Sequence, residues 1–399
     1  MSALDSELER RLEEIHAQGL LRRLRRVDSA QSTRIKLDSR TLLNFSSNDY
    51  LGLANHPALR EAAVKAVEKY GAGSGAARLV CGSLAPHHEL EEKLAAFKQT
   101  GAALSFSSGY ATALGTITAL VGKDDVVVLD KLVHASIVDG ARLSGAKLRI
   151  FSHNDLAELE DILKWADQRA PASGSSRGQT LIVTESVFSM DGDRAPLKEV
   201  VALKEKYGAW LMVDEAHATG YFGEGRRGLA EELGVSNQIE IQMGTLGKAL
   251  GSAGGYICGS RALIDYLVNR ARSFIFSTAP VPAAAAAAKA GVELVQSAEG
   301  KSRAEKLWSL AGELKKQLGA HGWKFSTDGS AIIPLIIGEE SAAMSAAAAL
   351  REAGIFVPAV RYPTVARGQA RLRVTVTAGH EPADVAELVN KVAADVRRL

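Results

Sequence analysis

The stretch Trp-Leu-Met-Val-Asp-Glu-Ala-His at residues 210–217 decides the fold class, because an apolar run ends abruptly in charged side chains. Comparable apolar runs, mostly separated by helical or polar segments, occur at 104–106, 126–129, 148–151, 181–183 and 239–243. Such runs are typical of strands buried on both faces, and therefore of a largely parallel sheet covered by helices. The sequence thus predicts an α/β fold.

The same pattern predicts three parts along the chain. Residues 1–45 are expected to form an N-terminal helical arm, in which acidic residues precede a basic cluster. Residues 46–285 contain the alternating strands and helices and form the predicted large domain. Near Pro280 the rhythm changes to an Ala-rich helix, which would lead into a smaller α+β domain at 286–399. The only loop with linker composition, 171–178, is too short to separate domains.

Composition excludes several classes of protein. The 399 residues carry 48 Lys and Arg against 46 Asp and Glu, a balance that argues against nucleic-acid binding. Hydrophobic residues make up 46%, enough to bury a sizeable core. Two cysteines in a chain of this size favour a reduced, cytoplasmic protein. The sequence contains no apolar signal segment and no apolar run of membrane length, so neither export nor a membrane span is expected.

Asp214 and His217 are the first candidate site residues. Asp214 ends the apolar run, which places it at the carboxyl end of a strand, where open α/β sheets bind ligands. His217 follows closely enough to act on the same ligand. The spelling Asp-Glu-Ala-His also occurs in helicase ATPases, but these require a phosphate loop ending in Gly-Lys-Ser or Gly-Lys-Thr. The comparable segment, 244–249, has the wrong spacing and no hydroxyl after Lys248, so the ATPase interpretation fails.

Lys248 suggests a more specific chemistry. A lone lysine is normally a solvated surface charge, but Lys248 follows an apolar run and is surrounded by glycines. A tight, partly dry turn makes its amine easier to deprotonate, and a desolvated lysine can form a Schiff base. Combined with an aspartate suited to a pyridinium nitrogen, Lys248 points to pyridoxal phosphate chemistry.

That cofactor also needs a phosphate site and a contact for its ring. Ser108, Gly109 and Tyr110 lie where a predicted strand turns into a helix, and free backbone N–H groups there can receive a phosphate. Helix capping explains the serine equally well. His134 follows another strand and could stack on a ring, although a histidine at such a place is more often structural.

Arginines near the C-terminus are candidates for substrate binding. Arg371 and Arg373 share one face of a predicted strand, and one of them could clamp a carboxylate. An edge strand that carries charges against aggregation fits the pattern equally well. The sequence shows no metal-ligand spacing and no Gly-x-Ser-x-Gly motif, so we expect neither a metal site nor a serine hydrolase.

Taken together, these motifs resemble one family of enzymes. The sequence is similar over nearly its whole length to the α-oxoamine synthases, which are fold-type I pyridoxal phosphate transferases with a large domain and a smaller C-terminal domain. The matching blocks are FSSNDYLGL at 45–53, SSGY at 107–110, HASI at 134–137, VFSMDGD at 187–193, DEAH at 214–217, TLGK at 245–248, FST at 276–278 and RYPT at 361–364. Their order is highly specific for the family and much less specific for the member.

The resemblance implies a role for each candidate residue. Lys248 would form the Schiff base with pyridoxal 5'-phosphate, Asp214 would pair with the pyridine nitrogen, and His134 would stack on the ring. The other cofactor residues would be Ser189 and His217 near the ring hydroxyl, Ser108, Gly109, Tyr110 and Thr245 around the phosphate, and Thr278 reaching the phosphate from the other subunit of a homodimer. The substrate residues would be Asn48, Arg361 and Arg373, with Arg373 gripping the carboxylate of the amino acid. From the basic cluster of the N-terminal arm, Arg22 or Arg25 is a candidate for the far carboxylate or the CoA phosphates.

The implied reaction is the decarboxylative condensation of an amino acid with an acyl thioester of coenzyme A or of a carrier protein. Asp193, Arg361 and the Pro363-Thr364 pair favour alanine and a pimeloyl thioester. Tyr362 is similar to glycine-using relatives, so glycine with acetyl-CoA, or serine with a long acyl chain, stays open. A catalytically silent subunit of the same fold is a third interpretation, against which the intact Asp214, His217 and Lys248 argue.

Overall fold

The protein is described by a computed structural model that covers residues 2–169, 178–326 and 328–396. Apart from Gly178, the linker-like loop at 171–178 lies outside the described residues. The chain forms two compact units. The central unit consists of Asn48–Ser309 and Ser326–Ala331, and the terminal unit consists of Met1–Ser47, Leu310–Phe325 and Ile332–Leu399. This grouping does not test the three parts predicted from the sequence, which stay a prediction.

Strands are short and recur along the whole described chain. They are β1 (Arg34–Leu37), β2 (Arg40–Asn44), β3 (Ala102–Phe106), β4 (Val126–Asp130), β5 (Lys147–Phe151), β6 (Thr180–Glu185), β7 (Trp210–Asp214), β8 (Ile241–Thr245), β9 (Gly255–Gly259), β10 (Ile332–Gly338), β11 (Ile355–Phe356), β12 (Ala359–Val360) and β13 (Ala370–Thr375).

Helices separate most of these strands. They are α1 (Ala3–Ala17), α2 (Pro57–Tyr70), α3 (Ala85–Lys98), α4 (Gly109–Leu120), α5 (Ala135–Ser144), α6 (Leu156–Asp167), α7 (Leu197–Tyr207), α8 (Leu229–Glu232), α9 (Arg261–Arg270), α10 (Arg272–Ile275), α11 (Pro282–Gln296), α12 (Ala298–Ala320), α13 (Glu340–Glu352) and α14 (Pro382–Lys391). Short π- or 3₁₀-helical turns lie at Arg78–Gly82, Ser236–Gln238 and Val392–Val396. The Ala-rich helix predicted near Pro280 is confirmed as α11.

The central unit is built on a seven-stranded sheet with the order β3-β9-β8-β7-β6-β4-β5. Neighbours from β5 through β8 pair in parallel, and β9 is antiparallel to both β8 and β3. Side chains from the strands pack with α4, α5, α9 and α10 in one apolar core. The predicted mainly parallel, helix-covered sheet is therefore confirmed.

Parallel pairing brings the carboxyl ends of β4, β6, β7 and β8 to one edge of the sheet. Glu185 of β6 lies in register with Asp214 of β7, and Asp214 lies in register with Met243 of β8. The loops that leave these strand ends carry most of the candidate residues, so this edge positions the site.

The terminal unit contains two three-stranded sheets, with the orders β1-β2-β11 and β10-β13-β12. Within the predicted helical arm, α1 is helical, but residues 34–44 form β1 and β2. The reason is local: the sequence Arg-Ile-Lys-Leu of β1 alternates exposed and buried side chains with the period of a strand. In the second sheet β13 is the central strand, and both Arg371 and Arg373 are buried. The edge-strand interpretation of these arginines is therefore wrong.

Candidate active site

Lys248, His217 and Tyr50 form a continuous chain of polar contacts at the carboxyl edge of the central sheet. The Nζ atom of Lys248 is 2.7 Å from Nε2 of His217, and the hydroxyl of Tyr50 is 2.5 Å from Nδ1 of His217. His217 and Tyr50 are buried, whereas Lys248 is half-buried. A charged lysine amine can donate to Nε2 only when that nitrogen carries no proton, and Nδ1 then donates to Tyr50. The protonation of Lys248 and His217 is thus coupled.

Two buried carboxyl groups lie side by side at the ends of β6 and β7. Glu185 and Asp214 are in register on adjacent parallel strands, so their side chains point to the same face of the sheet. Burial raises the pKa of Asp214, against the opposing effects of Lys248 and of the Ala216 backbone N–H, which donates to Oδ1 at 2.9 Å. Burial and the charge of Asp214 raise the pKa of Glu185 to about 8. Both carboxyl groups therefore bind a proton more readily than in water, and the pair resists carrying two negative charges.

His134 and Ser189 approach these carboxyl groups from two loops. His134 caps the N-terminus of α5 and lies 2.8 Å, through Nδ1, from the hydroxyl of Ser136. Burial lowers the pKa of His134. The charge of Asp214 opposes this change, whereas the charge of Lys248 adds to it. The backbone N–H groups of His134 and Ser189 both act on Glu185, where they lower the pKa. Both loops therefore come close to Glu185.

The turn between β3 and α4 forms a cradle of backbone and hydroxyl groups. Ser108 caps α4, and its Oγ accepts a hydrogen bond of 3.1 Å from Ala111 N. A Cβ atom added to Gly255 would lie 2.8 Å from Cα and 2.9 Å from N of Gly109, so the close approach of β9 requires glycine. Thr245, in register with Gly255, flanks Gly109 from the other side and donates to the Gly254 carbonyl at 3.0 Å. The N–H groups at the start of α4 therefore lie close to the hydroxyl of Thr245 and to the backbone of β9.

Tyr110, Thr278 and Asn48 lie in the same unit with different contacts. The hydroxyl of Tyr110, a half-exposed residue at the start of α4, donates to Asp139 at 2.5 Å. Thr278 is exposed and forms an isolated β-bridge with Ala77. Asn48 is half-buried, and its carbonyl accepts from Tyr50 N at 2.9 Å, next to the chain of contacts to His217.

The candidate arginines belong to the terminal unit, where two of them lie near each other. Arg361 donates through Nη2 to the carbonyl of Leu21 at 3.2 Å, and Arg22 lies 3.4 Å from the hydroxyl of Thr364. Among the described residues, the buried Nε of Arg361 has no hydrogen-bond partner. Arg373 is 5% exposed and donates through Nη1 to the hydroxyl of Thr375 at 2.9 Å.

Two residues of the site were missed in the sequence, and each had a usable signal. Glu185 follows the apolar run 181–183 after one residue, Thr184, so the rule that identified Asp214 also applies to it. Tyr50 lies within the block 45–53, but only the folded chain shows that it contacts His217. The sequence gives no hint of this contact because the two residues are far apart in the chain.

Three further findings concern membrane-spanning helices, metal sites and cysteines in the described part of the chain. No helix there is long and apolar enough to cross a membrane. Within the same ranges, no cluster of three or more His, Cys, Asp or Glu side chains is arranged to hold a metal ion. Cys81 and Cys258 are both free thiols.

The fold and this site define a pyridoxal phosphate enzyme of fold type I: a lysine in a turn beyond the sheet, a buried aspartate at a strand end and a helix N-terminus beside them. Comparison with known proteins narrows the class. The aminotransferase class I and II family matches residues 40–392. The chain is 49% identical over 388 residues to the 8-amino-7-oxononanoate synthase of Geotalea daltonii, with 97% of each chain covered. It is 48% identical over 382 residues to the enzyme of the same name from Geobacter sulfurreducens, with 96% of each chain covered.

Solved structures agree with this assignment. A serine palmitoyltransferase from S. paucimobilis with a bound PLP-myriocin aldimine matches with a TM-score of 0.91 at 30% identity, covering 100% of this chain and 99% of that chain. An 8-amino-7-oxononanoate synthase from Francisella tularensis matches with a TM-score of 0.75 at 29% identity, covering 90% of this chain and 98% of that chain. The chain belongs to the aminotransferase class I and II family and, within it, to the α-oxoamine synthases. The predicted cofactor, pyridoxal phosphate, is confirmed by this membership.

Proposed function

We propose that this protein condenses L-alanine with a pimeloyl thioester, of CoA or of a carrier protein, to give 8-amino-7-oxononanoate, carbon dioxide and the free thiol. This reaction belongs to the biosynthesis of biotin. The observation that carries the proposal is the convergence of Asp214, His217 and Lys248 at one sheet edge in a chain about half identical to curated synthases of that name. The enzyme class itself, an acyltransferase of the α-oxoamine synthase type, rests on the family membership.

The residues present fit the cofactor at three points. The cradle at Gly109, Gly255 and Thr245 offers backbone N–H groups and a hydroxyl to a phosphate, and a side chain on Gly255 would crowd it. The buried carboxylate of Asp214, whose pKa is raised by burial, is poorly stabilised as an anion and suits a protonated pyridine nitrogen. Lys248 supplies the amine for covalent attachment. His134, Ser189 and His217 are then the side chains assigned to the ring.

When bound, the cofactor supplies an electron sink for negative charge at Cα of the amino acid. The remaining work belongs to this chain. Asp214 holds a proton on the ring nitrogen, which keeps that sink effective. Once its amine is free, Lys248 takes the Cα proton, and contact with Nε2 of His217 ties the protonation of the amine to Tyr50. Protonated Glu185 adds no second negative charge beside Asp214.

Substrate binding is assigned to Asn48 and to three arginines of the terminal unit. We propose that Arg373 grips the carboxylate of the amino acid, since a buried guanidinium on a central strand has a fixed direction. Arg22 and Arg361 lie close to Thr364 and Leu21, which supports a joint role toward the far carboxylate of the acyl chain.

We further propose a homodimer in which Thr278 reaches the phosphate bound by the other subunit. The proposal is supported by the exposure of Thr278 and of two large apolar residues near it, Phe276 and Val281, which are 71% and 45% exposed. Light scattering of the purified protein tests this assembly, and a monomer at working concentrations contradicts it.

A substrate panel tests the proposed reaction. Purified protein loaded with pyridoxal phosphate is offered alanine, glycine or serine, each with pimeloyl-CoA, pimeloyl-carrier protein, acetyl-CoA or palmitoyl-CoA, and release of the free thiol is followed. We expect turnover with alanine and a pimeloyl thioester to exceed that of every other pair. Preference for serine with palmitoyl-CoA, or for glycine with acetyl-CoA, would assign another member of the family. The Lys248→Ala variant supplies the background rate for each pair.

A further inference from the structure

We propose that His153 is a positioning residue for this reaction, because it bridges two aspartates and so holds together the loops that carry His134 and Ser189. His153 follows β5 and has no role in the site described above. Its Nδ1 lies 3.0 Å from Oδ1 of Asp130, and its Nε2 lies 2.7 Å from Oδ2 of Asp193. The Asp130 side chain is 0% exposed, and those of His153 and Asp193 are 24% and 28% exposed.

The two carboxylate contacts favour an imidazolium. Both ring nitrogens of His153 face a carboxylate oxygen, and a neutral imidazole has only one N–H to donate. The other nitrogen would then direct a lone pair at an anion. Although burial opposes the charge, the hydrogen bonds to Asp130 and Asp193 raise the pKa of His153 to about 10. His153 is therefore a cation shared by two anions, which makes both contacts charge-assisted.

Asp130 connects His153 to the first loop. It is the last residue of β4, and its carboxylate also accepts hydrogen bonds of 2.8 Å from the backbone N–H of Leu132 and from that of Asn154. The turn at Leu132 leads directly to His134, the cap of α5. Asp130 thus fixes the start of this loop through Leu132 and holds the segment after β5 through Asn154 and His153.

Asp193 connects His153 to the second loop. The carbonyl of Asp193 accepts from Phe188 N at 3.1 Å, and the carbonyl of Phe188 accepts from Gly192 N at 2.8 Å, so residues 188–193 close into a compact turn around Ser189. The ring of His153 also packs edge-on against Phe188, with 4.3 Å between centroids. A shift of His153 would therefore move both ends of the turn that presents Ser189.

Glu185 lies near the same two loops at the sheet edge, where the backbone N–H groups of His134 and Ser189 lower its pKa. His153 holds the two loops through Asp130 and Asp193. His134 and Ser189 are therefore kept at a fixed separation across the cofactor site. The role of His153 rests on the proposed function, since it acts through the placement of Ser189 beside the ring hydroxyl.

The experiment is a double-mutant cycle read in the visible absorbance of the bound cofactor. The variants are His153→Phe, Ser189→Ala and the double variant, and the pH midpoint of the absorbance change is measured for each holoenzyme. His153→Phe keeps a ring against Phe188 but removes both N–H donors. We expect it to shift the midpoint in the same direction as Ser189→Ala, and the double variant to show little further shift, because both act through one contact. We also expect kcat to fall about tenfold or more with little change in KM for the thioester.

Two further variants keep the test decisive. Asp193→Asn leaves the Asp130 contact in place and should give a smaller shift of the same sign. His56→Phe removes a histidine that contacts Glu299 at 3.2 Å elsewhere in the central unit, and should leave the midpoint unchanged.

The outcomes separate this inference from the proposed function. If Ser189→Ala shifts the midpoint but His153→Phe lowers only the thermal stability, His153 is merely structural and the inference is overturned. If Ser189→Ala itself leaves the midpoint unchanged, the assignment of Ser189 and the inference fall together, while the substrate panel still stands. A wild-type protein that binds no pyridoxal phosphate would overturn the proposed function as well.

Discussion

Asp214 and Glu215 are adjacent in the sequence, yet the two carboxylates lie in opposite electrostatic surroundings. Glu215 has its own cation: Oε2 is 2.6 Å from Nζ of Lys98, and both side chains are 1% exposed. Its other oxygen accepts from Ala230 N at 2.9 Å. Asp214 accepts from a backbone N–H, at Ala216, and its neighbour Glu185 is another acid.

The lysines near these two carboxylates, Lys98 and Lys248, differ in the same way. Burial disfavours the charge on Lys98, but Glu215 more than compensates, so the pKa of Lys98 is raised and its ammonium is permanent. The Nζ atom of Lys98 donates a second hydrogen bond, of 2.6 Å, to the backbone carbonyl of Arg227. Lys248 instead contacts a histidine whose proton can move. A carboxylate that already holds a resident cation stabilises the fold, whereas a buried carboxylate without one suits a ligand that brings positive charge.

The largest expected effect comes from Lys248, the lysine that contacts His217. Lys248→Ala should lower kcat by about a thousandfold or more, because attachment of the cofactor and removal of the Cα proton depend on one amine. Steady-state thiol release measures this loss. Lys65→Ala, at an exposed surface lysine, is the matched control and should keep wild-type activity. Comparable activity of the two variants would contradict the assignment.

Next in size is the effect of neutralising Asp214. Asp214→Asn should lower kcat by roughly 10²- to 10³-fold, since an amide cannot hold the ring nitrogen protonated. The apoprotein should be as stable as the wild type, because the change relieves a buried anion with a raised pKa. Steady-state kinetics checks the fall in kcat, and thermal melting of the same preparation checks the stability. A variant that is destabilised yet fully active would reverse the contrast between Asp214 and Glu215.

Removing Lys98 should act on stability instead of chemistry. Lys98→Met leaves the carboxylate of Glu215 buried and unpaired, which costs about 3–5 kcal/mol. The double variant Lys98→Met, Glu215→Gln should recover part of that loss, because no bare charge remains. Equilibrium denaturation of the apoprotein measures the free energy of unfolding of both variants. If the double variant is less stable than the single one, the pair is held together by something other than charge.

The smallest expected effect is the pH dependence contributed by His153. Its pKa in the folded protein, about 10, lies above the ordinary value of 6.5, because Asp130 and Asp193 face it. Its stabilisation is therefore complete below about pH 6.5 and is lost as the pH rises through about 10. Melting temperatures between these values should fall more steeply for the wild type than for His153→Gln. Parallel curves would show that His153 does not titrate in this range.

Local sequence patterns predicted much of the fold and part of the site. The apolar run of β7 and its terminal Asp214 were identified because burial on both faces and strand-end chemistry are properties of a single segment. Strand β9 was missed, since its core is short and bounded by Gly255 and Gly259, and its antiparallel pairing depends on β3 and β8. Arg373 was left undecided for the same reason, because a central and an edge strand read alike in sequence.

Contacts between distant segments could not be predicted. The bridge from Asp130 through His153 to Asp193 exists only because β4 lies between β5 and β6 in the sheet. Likewise, the contact of Tyr50 with His217 joins an early loop to the turn after β7. Strand order and loop closure, which set these distances, leave no periodic signal in the sequence.

The most direct test of the account is to locate the attached cofactor. The holoenzyme is reduced with borohydride, digested and mapped by mass spectrometry. We expect a single modified residue, Lys248, and no modification of Lys98, whose permanent charge and full burial exclude it from Schiff base chemistry. Modification of any other lysine, or an equally labelled Lys248→Ala variant, would contradict the central claim.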